Sequence, residues 1–506
     1  MKSFALRKTA WRWYGAAIVI GGAALLGAMR NSSDDTSTPL RVGSKNFTES
    51  IVLAEIARQE LQRHGIAAEH QRGLGGTAIL WRALQAGDID LYPDYSGTIA
   101  QELLRDVSPG ADLETLRGAL AKSGVGLSAP LGFDDSYGLA MRADQAKAMR
   151  IARISDLAGR PELRFGLSNE FMQRQDGWPG LRRVYKLGAA SVRGMSHELA
   201  YRALAEGAVD VVDVYTTDAE IPYYSLRVLR DDRAYFPDYQ AVLLYRLDAV
   251  ERWPALALAL QALARRIDLK AMQRMNAEVK LHGVGETETA ARFLGISLPH
   301  AGSDRAHRLL AHTGEHLRLV AVSLTLAIFC AVPLGVLAAH KPGLGRLVLG
   351  LSSILQTVPS LAMLVFMIPL FGIGARPAIA ALFLYSLLPI VRNTQTGLAG
   401  IARELRESAA GLGLPLRTRL RRIDLPLARG SILAGIKTAA VINVGTATLG
   451  ALIGAGGLGE PILTGIRLDD LTLILEGAIP AALLALLVQW LFERLERAFT
   501  PRGLRR

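Results

Sequence analysis

Three short stretches of this chain concentrate side chains able to bind or react. LYPDYSGT, from Leu91 to Thr98, sets two phenol rings, a carboxylate and two hydroxyls within eight residues. Ser44, Lys45 and Asn46 form a second polar cluster, and Tyr215 to Asp218 a third. Rings beside hydroxyls and isolated charges suit the holding of a small molecule, with apolar surface for its body and polar groups to orient it. Bond-making chemistry has no such support, because the nine histidines are scattered and no nucleophile–base pairing is visible. Cys330, the only cysteine, sits inside an apolar run, which excludes internal disulfides, a thiolate metal site and a dithiol redox motif. No GxxxxGKS or GxxxxGKT phosphate loop occurs, so ATP binding of the usual kind is not expected on this chain.

Each polar cluster falls where a strand gives way to a loop or helix. LRVGSKNF reads as a strand ending in polar residues, and TESIVLAEIARQELQRHG follows with apolar residues at helical spacing, a Thr at its start and a Gly at its end. AAEHQRG is a second strand, and GGTAILWRALQAGDID a Gly-opened helix leading into a third. LRFGLSN, GAVDVVDVYTT and YQAVLLYR are later strands. This alternation predicts an α/β domain over residues 40–300, with its ligand site beyond the carboxyl ends of the strands. By strand alternation Tyr92 shares the face of Asp90, opposite Tyr95, and is expected to be a packing residue. Asp94, Asp134 and Asp135 read as turn or cap residues.

The remainder of the chain has a different solvent. Of 506 residues half are hydrophobic and the mean hydropathy is positive, an excess concentrated between residues 317 and 494. Uncharged runs at Leu319–Ala339, Leu347–Ala375 and Pro377–Val391, with apolar stretches at about 430–454 and 471–492, predict five membrane spans, the second bent or broken at QTVPS. The run Trp13–Met29 behind a basic start reads as an uncleaved anchor, although a cleaved export signal has a similar pattern. NSSDDTSTP, residues 31–39, is a polar tether. Basic loops such as RTRLRR then fall on the cytoplasmic side, which accounts for the net charge of +12 without nucleic acid. Domains are thus expected at 1–39, 40–300 and 301–506. Glu476 is an isolated acid in the last span, near its outer end.

Read together and in order, GSKNFTES, GLGGTAILWRAL, DIDLYPDYSGT, GFDDSYGLAM, NEFMQRQDGWPGL, VDVVDVYTTDAEI and PDYQAVLL resemble the extracytoplasmic binding proteins for glycine betaine, choline and related compounds of osmoprotectant ABC importers. The resemblance implies a two-lobed periplasmic-binding fold of type II, with lobe one at about 40–139 plus 240–300 and lobe two between. It also implies a tyrosine cage for a quaternary ammonium, at Tyr95, Tyr137, Tyr215 and Tyr239. Ring faces stabilise a methylated cation that offers no N–H, each by about 0.5–2 kcal/mol depending on desolvation. By the same motif matching, Lys45, Thr98 and Arg174 would meet a ligand carboxylate, which argues for a zwitterion over choline.

RELRESAAGLGLPLRTRLRRIDLP, residues 403–426, resembles the cytoplasmic coupling loop of ABC importer permeases through Glu407, Ala409, Gly413, Ile423, Leu425 and Pro426, with Ser408 where alanine is usual. GAGGLGEPILTGI and ILQTVPSLAML look like the permeases of the same importers. The implied protein is a binding domain fused to its permease in the inner membrane, with the binding domain outside the cytoplasm. It would be a homodimer, with no cofactor of its own, driven by a separate cytoplasmic ATPase that binds the ATP. Ergothioneine, another trimethylammonium zwitterion, is the alternative substrate. A ligand-sensing receptor is the alternative class, but it needs a signalling segment after the last span, where only the tail from Glu493 follows.

Overall fold

The structure is a computed structural model that describes residues 38–499 apart from 105, 106, 108, 109, 175, 189, 190, 298–304 and 469. The expected anchor, nearly all of the tether and the end of the tail lie outside the described residues. The chain divides into two compact units that meet in sequence at residues 302 and 303.

The first unit is built on ten strands: β1 Leu40–Gly43, β2 Ala68–Gln71, β3 Leu91–Tyr95, β4 Val125–Leu127, β5 Tyr137–Arg142, β6 Arg164–Ser168, β7 Ser191–Met195, β8 Val211–Tyr215, β9 Leu226–Val228 and β10 Ala241–Arg246. They form two five-stranded sheets, β2-β1-β3-β10-β4 and β7-β6-β8-β5-β9. Each sheet pairs three strands in parallel and accepts one antiparallel strand from the other part of the chain: β10 lies beside β3, and β5 beside β8. The chain therefore crosses between lobes twice, and the crossings are tied by an antiparallel bridge between Asp134 and Gln240. Because β5 begins at Tyr137 and belongs to the second sheet, the lobe boundary falls before it and not at residue 139 as the motifs suggested. The misplacement arises because GFDDSYGLAM reads as one unit, although the polar FDDS within it is the crossing.

The lobes repeat one another in detail. PLRVG opens β1 and ELRFG opens β6; Arg41 Nη2 donates to Gly87 O at 2.7 Å and Arg164 Nη2 to Gly207 O at 2.7 Å. Arg41 also pairs with Asp90 and Arg164 with Asp210, each Asp three residues beyond its glycine. Five residues past each of these aspartates stands a tyrosine, Tyr95 in one lobe and Tyr215 in the other. β3 is buried along its whole length, as expected of a strand covered on both faces, and Tyr92 is fully buried as packing.

The second unit is helical. Arg305–His340, Ala375–Ala399 and Leu471–Ala498 are long and apolar enough to cross a membrane, as is the stretch Leu416–Ile453. Pro342–Thr357 and Ser360–Phe371 meet at a 103° bend, where Val358 and Pro359 interrupt the helix, and counting them as one crossing makes five among the described residues. Helix-to-helix contacts use small residues: a side chain at Gly435 would meet Asn393 and Pro389, and one at Gly335 would meet Thr394. Asn443 donates to Ser323 at 3.1 Å, a polar link between the first and fourth of these helices. Phe329, Leu370, Leu483 and Leu486 point outward and are largely exposed, the distribution of a surface solvated by acyl chains. Glu476 is half-buried on the last helix.

Candidate functional site

Strand register brings the expected rings together. Tyr137 opens β5 and Tyr215 closes β8, and they are direct partners across the antiparallel pair, with hydroxyls 3.4 Å and ring centroids 4.9 Å apart. Tyr239, in the second crossing, presents its edge to Tyr137 at 5.6 Å. Tyr95 at the end of β3 reaches the cluster through Phe47, which stacks on Tyr95 at 6.4 Å and on Tyr215 at 5.9 Å. All four expected tyrosines thus share one aromatic cluster spanning both lobes. Phe171 and Phe236 back it, 5.2 and 6.1 Å from Tyr137. Phe47, Phe171 and Phe236 escaped sequence reasoning, because a single phenylalanine beside polar residues carries no pattern. The signal for Tyr95 and Tyr215 as equivalents was the lobe repeat.

Each ring is held by its hydroxyl or its neighbours. Tyr95 donates to Glu49 Oε1 at 2.6 Å and Tyr239 to Asp176 Oδ2 at 2.6 Å. Burial, and then the Glu49 carboxylate, push the Tyr95 hydroxyl far above the usual phenol range. The YSGT turn has a packing cause: a Cβ on Gly97 would lie 2.6 Å from the Tyr239 ring, so only glycine lets the turn after β3 approach the second crossing. Tyr95, Tyr137 and Tyr239 are buried and Tyr215 is half-buried, which makes this a closed arrangement of the lobes.

The expected polar residues are placed differently. Lys45 is buried and gives its ammonium to Asp94 Oδ1 at 2.6 Å, with the Tyr95 ring 5.7 Å away. Arg174 caps helix Asn169–Gln173, clamps Asp176 with two N–H groups at 2.8 and 2.5 Å, and lies 5.4 Å from the Tyr137 ring centroid. Its remaining reach includes Thr98 Oγ1 at 3.4 Å, across from the other lobe. Both cations therefore have resident carboxylates: Asp94, 49 residues along the chain from Lys45 and brought to it by the tertiary fold, and Asp176, only two residues beyond Arg174. Asp134 accepts from the Tyr239 backbone N–H at 2.6 Å and Asp135 from Thr217 at 2.7 Å, so both fix the crossings. Burial, then Glu49 and Asp218, push the Asp135 carboxyl well above the usual range.

A double-lobed α/β unit that closes on aromatic side chains, preceding a helical membrane unit in one chain, is the architecture of a substrate-binding protein joined to its import permease. The comparisons agree. Residues 38–295 match the model for the substrate binding domain of the ABC-type glycine betaine transport system, and 331–502 that for the binding-protein-dependent transport system inner membrane component. The osmoprotectant import permease protein OsmW of Salmonella typhimurium is 46% identical over 211 residues, 41% of this chain and 98% of that protein. The glycine betaine/carnitine/choline permease OpuCB of Bacillus subtilis is 46% identical over 197 residues, 39% of this chain and 90% of that one. A crystal structure of a glycine betaine/carnitine/choline ABC transporter aligns over 51% of this chain and 97% of its own, at 27% identity and a TM-score of 0.44. The chain belongs to the glycine betaine/choline-type ABC importer family, with binding and permease domains fused.

Behind Tyr215 lies His197, its ring 4.6 Å away and its nitrogens 2.9 Å from Asp218 and 3.6 Å from Asp213. Burial opposes a charge on His197, but the two carboxylates outweigh it and raise its pKa well above the ordinary value. A raised folded-state pKa gives stability that is complete below about 6.5 and declines as pH rises toward the folded value. His197→Gln should therefore lower the thermal midpoint of the full chain most near pH 6 and least near pH 9. A deficit that does not change with pH would contradict the charged pair.

Proposed function

We propose that the chain captures a quaternary-ammonium compatible solute outside the cytoplasm and passes it through its own permease domain. Glycine betaine, a related betaine, choline or carnitine are the candidates, bound by Tyr95, Tyr137, Tyr215 and Tyr239 with Phe47 added. The observation that carries this is the aromatic cluster contributed by both lobes: a methylated cation offers no N–H, so ring faces are its natural solvent. Lys45, Thr98 and Arg174 lie beside the rings as the polar side of the pocket. Since Lys45 and Arg174 each already hold a carboxylate, charge does not separate a zwitterion from choline, and the onium group defines the ligand class.

Energy comes from a separate cytoplasmic ATPase, with ATP bound there and no cofactor on this chain. The helix pair Arg403–Gly411 and Leu416–Arg419 is the proposed docking element. Ala409 is buried, while Leu405, Leu412 and Leu416 are exposed on the same short segment, apolar surface of the kind a partner covers. Glu407 is exposed and paired with Arg403 at 2.6 Å, and Ile423, Leu425 and Pro426 lead into the next helix. Two copies of the permease domain form the pathway in the inner membrane, each bringing a tethered binding domain and raising its concentration at the entrance.

Calorimetry on the full chain with glycine betaine, choline, carnitine and ergothioneine tests the ligand class. At least one should bind, and Tyr95→Ala with Tyr215→Ala should weaken it about 100-fold, from two ring faces at up to about 1.4 kcal/mol each. Unchanged affinity in that double variant would remove the cage.

Gly413 tests the coupling element, since its φ of +71° disfavours any side chain while no atom lies near enough to clash with one. Gly413→Leu should leave ligand affinity intact and reduce uptake in cells expressing the ATPase at least tenfold. Normal uptake would mean that the helix pair does not transmit the power stroke.

A further inference from the structure

Helix Leu269–Lys280 packs on helix Thr48–Arg63 of lobe one, yet one of its faces is spent on lobe two. Gln273, Asn276 and Lys280 lie along that face at helical spacing. Gln273 Nε2 donates to Thr216 O at 3.1 Å, Asn276 Nδ2 to Thr217 O at 3.1 Å, and Lys280 Nζ to Glu220 at 2.7 Å. All three acceptors belong to the segment that leaves β8 directly after Tyr215. The same Asn276 amide donates to Glu49 Oε2 at 2.9 Å, and the other oxygen of Glu49 holds the Tyr95 hydroxyl. Asn276 and Glu49 are both buried.

We propose that Asn276 is the positioning residue that couples lobe closure to the aromatic cage. One NH₂ group grips, through Glu49, the ring at the end of β3 and, through Thr217, the strand end that carries Tyr215. Ligand-induced approach of the lobes makes the Thr217 bond, and making that bond fixes the two rings at their mutual distance. The chemistry requires a double donor, because both partners present oxygen. A carboxylate of the same shape would face Glu49 and a carbonyl with no proton to share. The charged and titratable groups around it are Glu49 and Tyr95 from lobe one, Asp135 from the crossing, Asp218 and Glu220 from lobe two, and Lys280 on its own helix. The role of the rings as ligand walls is taken from the proposed function; the latch itself stands on the contacts between lobes.

The test uses full-length protein in nanodiscs, with glycine betaine and choline titrated at pH 8 and pH 5.5 and each affinity referred to wild type at the same pH. Asn276→Asp should bind at least tenfold more weakly at pH 8 and regain part of the loss at pH 5.5, where a protonated acid again supplies one of the two donors. Asn276→Ala should be weak at both. Spin labels at the exposed Thr115 and Lys147, in a Cys330→Ser background, read the lobe separation directly. The closed population should fall in the Asp variant at pH 8. Wild-type affinity at pH 8, or a loss of equal size at both pH values, would overturn the proposal. If wild type binds neither solute, the cage reading fails, and an unchanged lobe separation in Asn276→Asp still overturns the latch on its own. Should that variant not fold, Asn276→Ala carries the same distance test: a wild-type distribution there overturns the latch.

Discussion

A permanently methylated nitrogen cannot be recognised by hydrogen bonding, so the protein that takes it up has to surround it with polarisable faces and keep water out. That constraint explains why the proposed site is divided between two lobes. Faces on one rigid wall leave the far side of the cation hydrated; faces from both walls enclose it only when the lobes meet. Tyr137 and Tyr215 can serve because they are register partners across β5 and β8, and a slip of one residue would turn either away. Phe47 then bridges Tyr215 to Tyr95 of the other lobe, so the enclosure and the closed conformation are the same event.

In the proposed site the cations around the rings are paired within the protein. Lys45 and Arg174, free cations that would repel an ammonium, are each neutralised by a buried aspartate at hydrogen-bond distance. His197, held charged behind Tyr215, is bracketed by Asp213 and Asp218. Positive charge near the cage is in this way balanced locally. On the proposed reading, the ring quadrupoles are then the main attraction offered to an onium group.

Much of the architecture was legible in the sequence because it rests on periodicity. The alternation of short strands and amphipathic helices gave the α/β unit, and the proline and polar residues of QTVPS gave the broken helix, seen as a 103° bend. The lobe boundary was misplaced because a crossing strand has no local signature; β5 is recognised as lobe two only by its partners β8 and β9. The same limit applies to the site. Tyrosines at strand ends can be picked from their motifs, and the structure draws all four into one cluster. The pairings of Asp94 with Lys45, of Glu49 with Tyr95 and of Asp176 with Tyr239, which decide what those motifs are free to do, are made only in three dimensions. The lobe repeat of LRVG with LRFG, each followed by a Gly-x-x-Asp and a tyrosine five residues on, was present in the sequence and would have singled out Tyr95 and Tyr215 together.

The central claim is that the cage reads positive charge through ring faces and not merely the size of a trimethyl group. Replacing the nitrogen by carbon keeps the shape and removes the charge, so the affinities of choline and of 3,3-dimethylbutan-1-ol for the full chain isolate that contribution. The account predicts that the neutral isostere binds at least about tenfold more weakly, the loss of roughly 1.4 kcal/mol or more of cation–π stabilisation. Choline binding matched by its neutral isostere would contradict it.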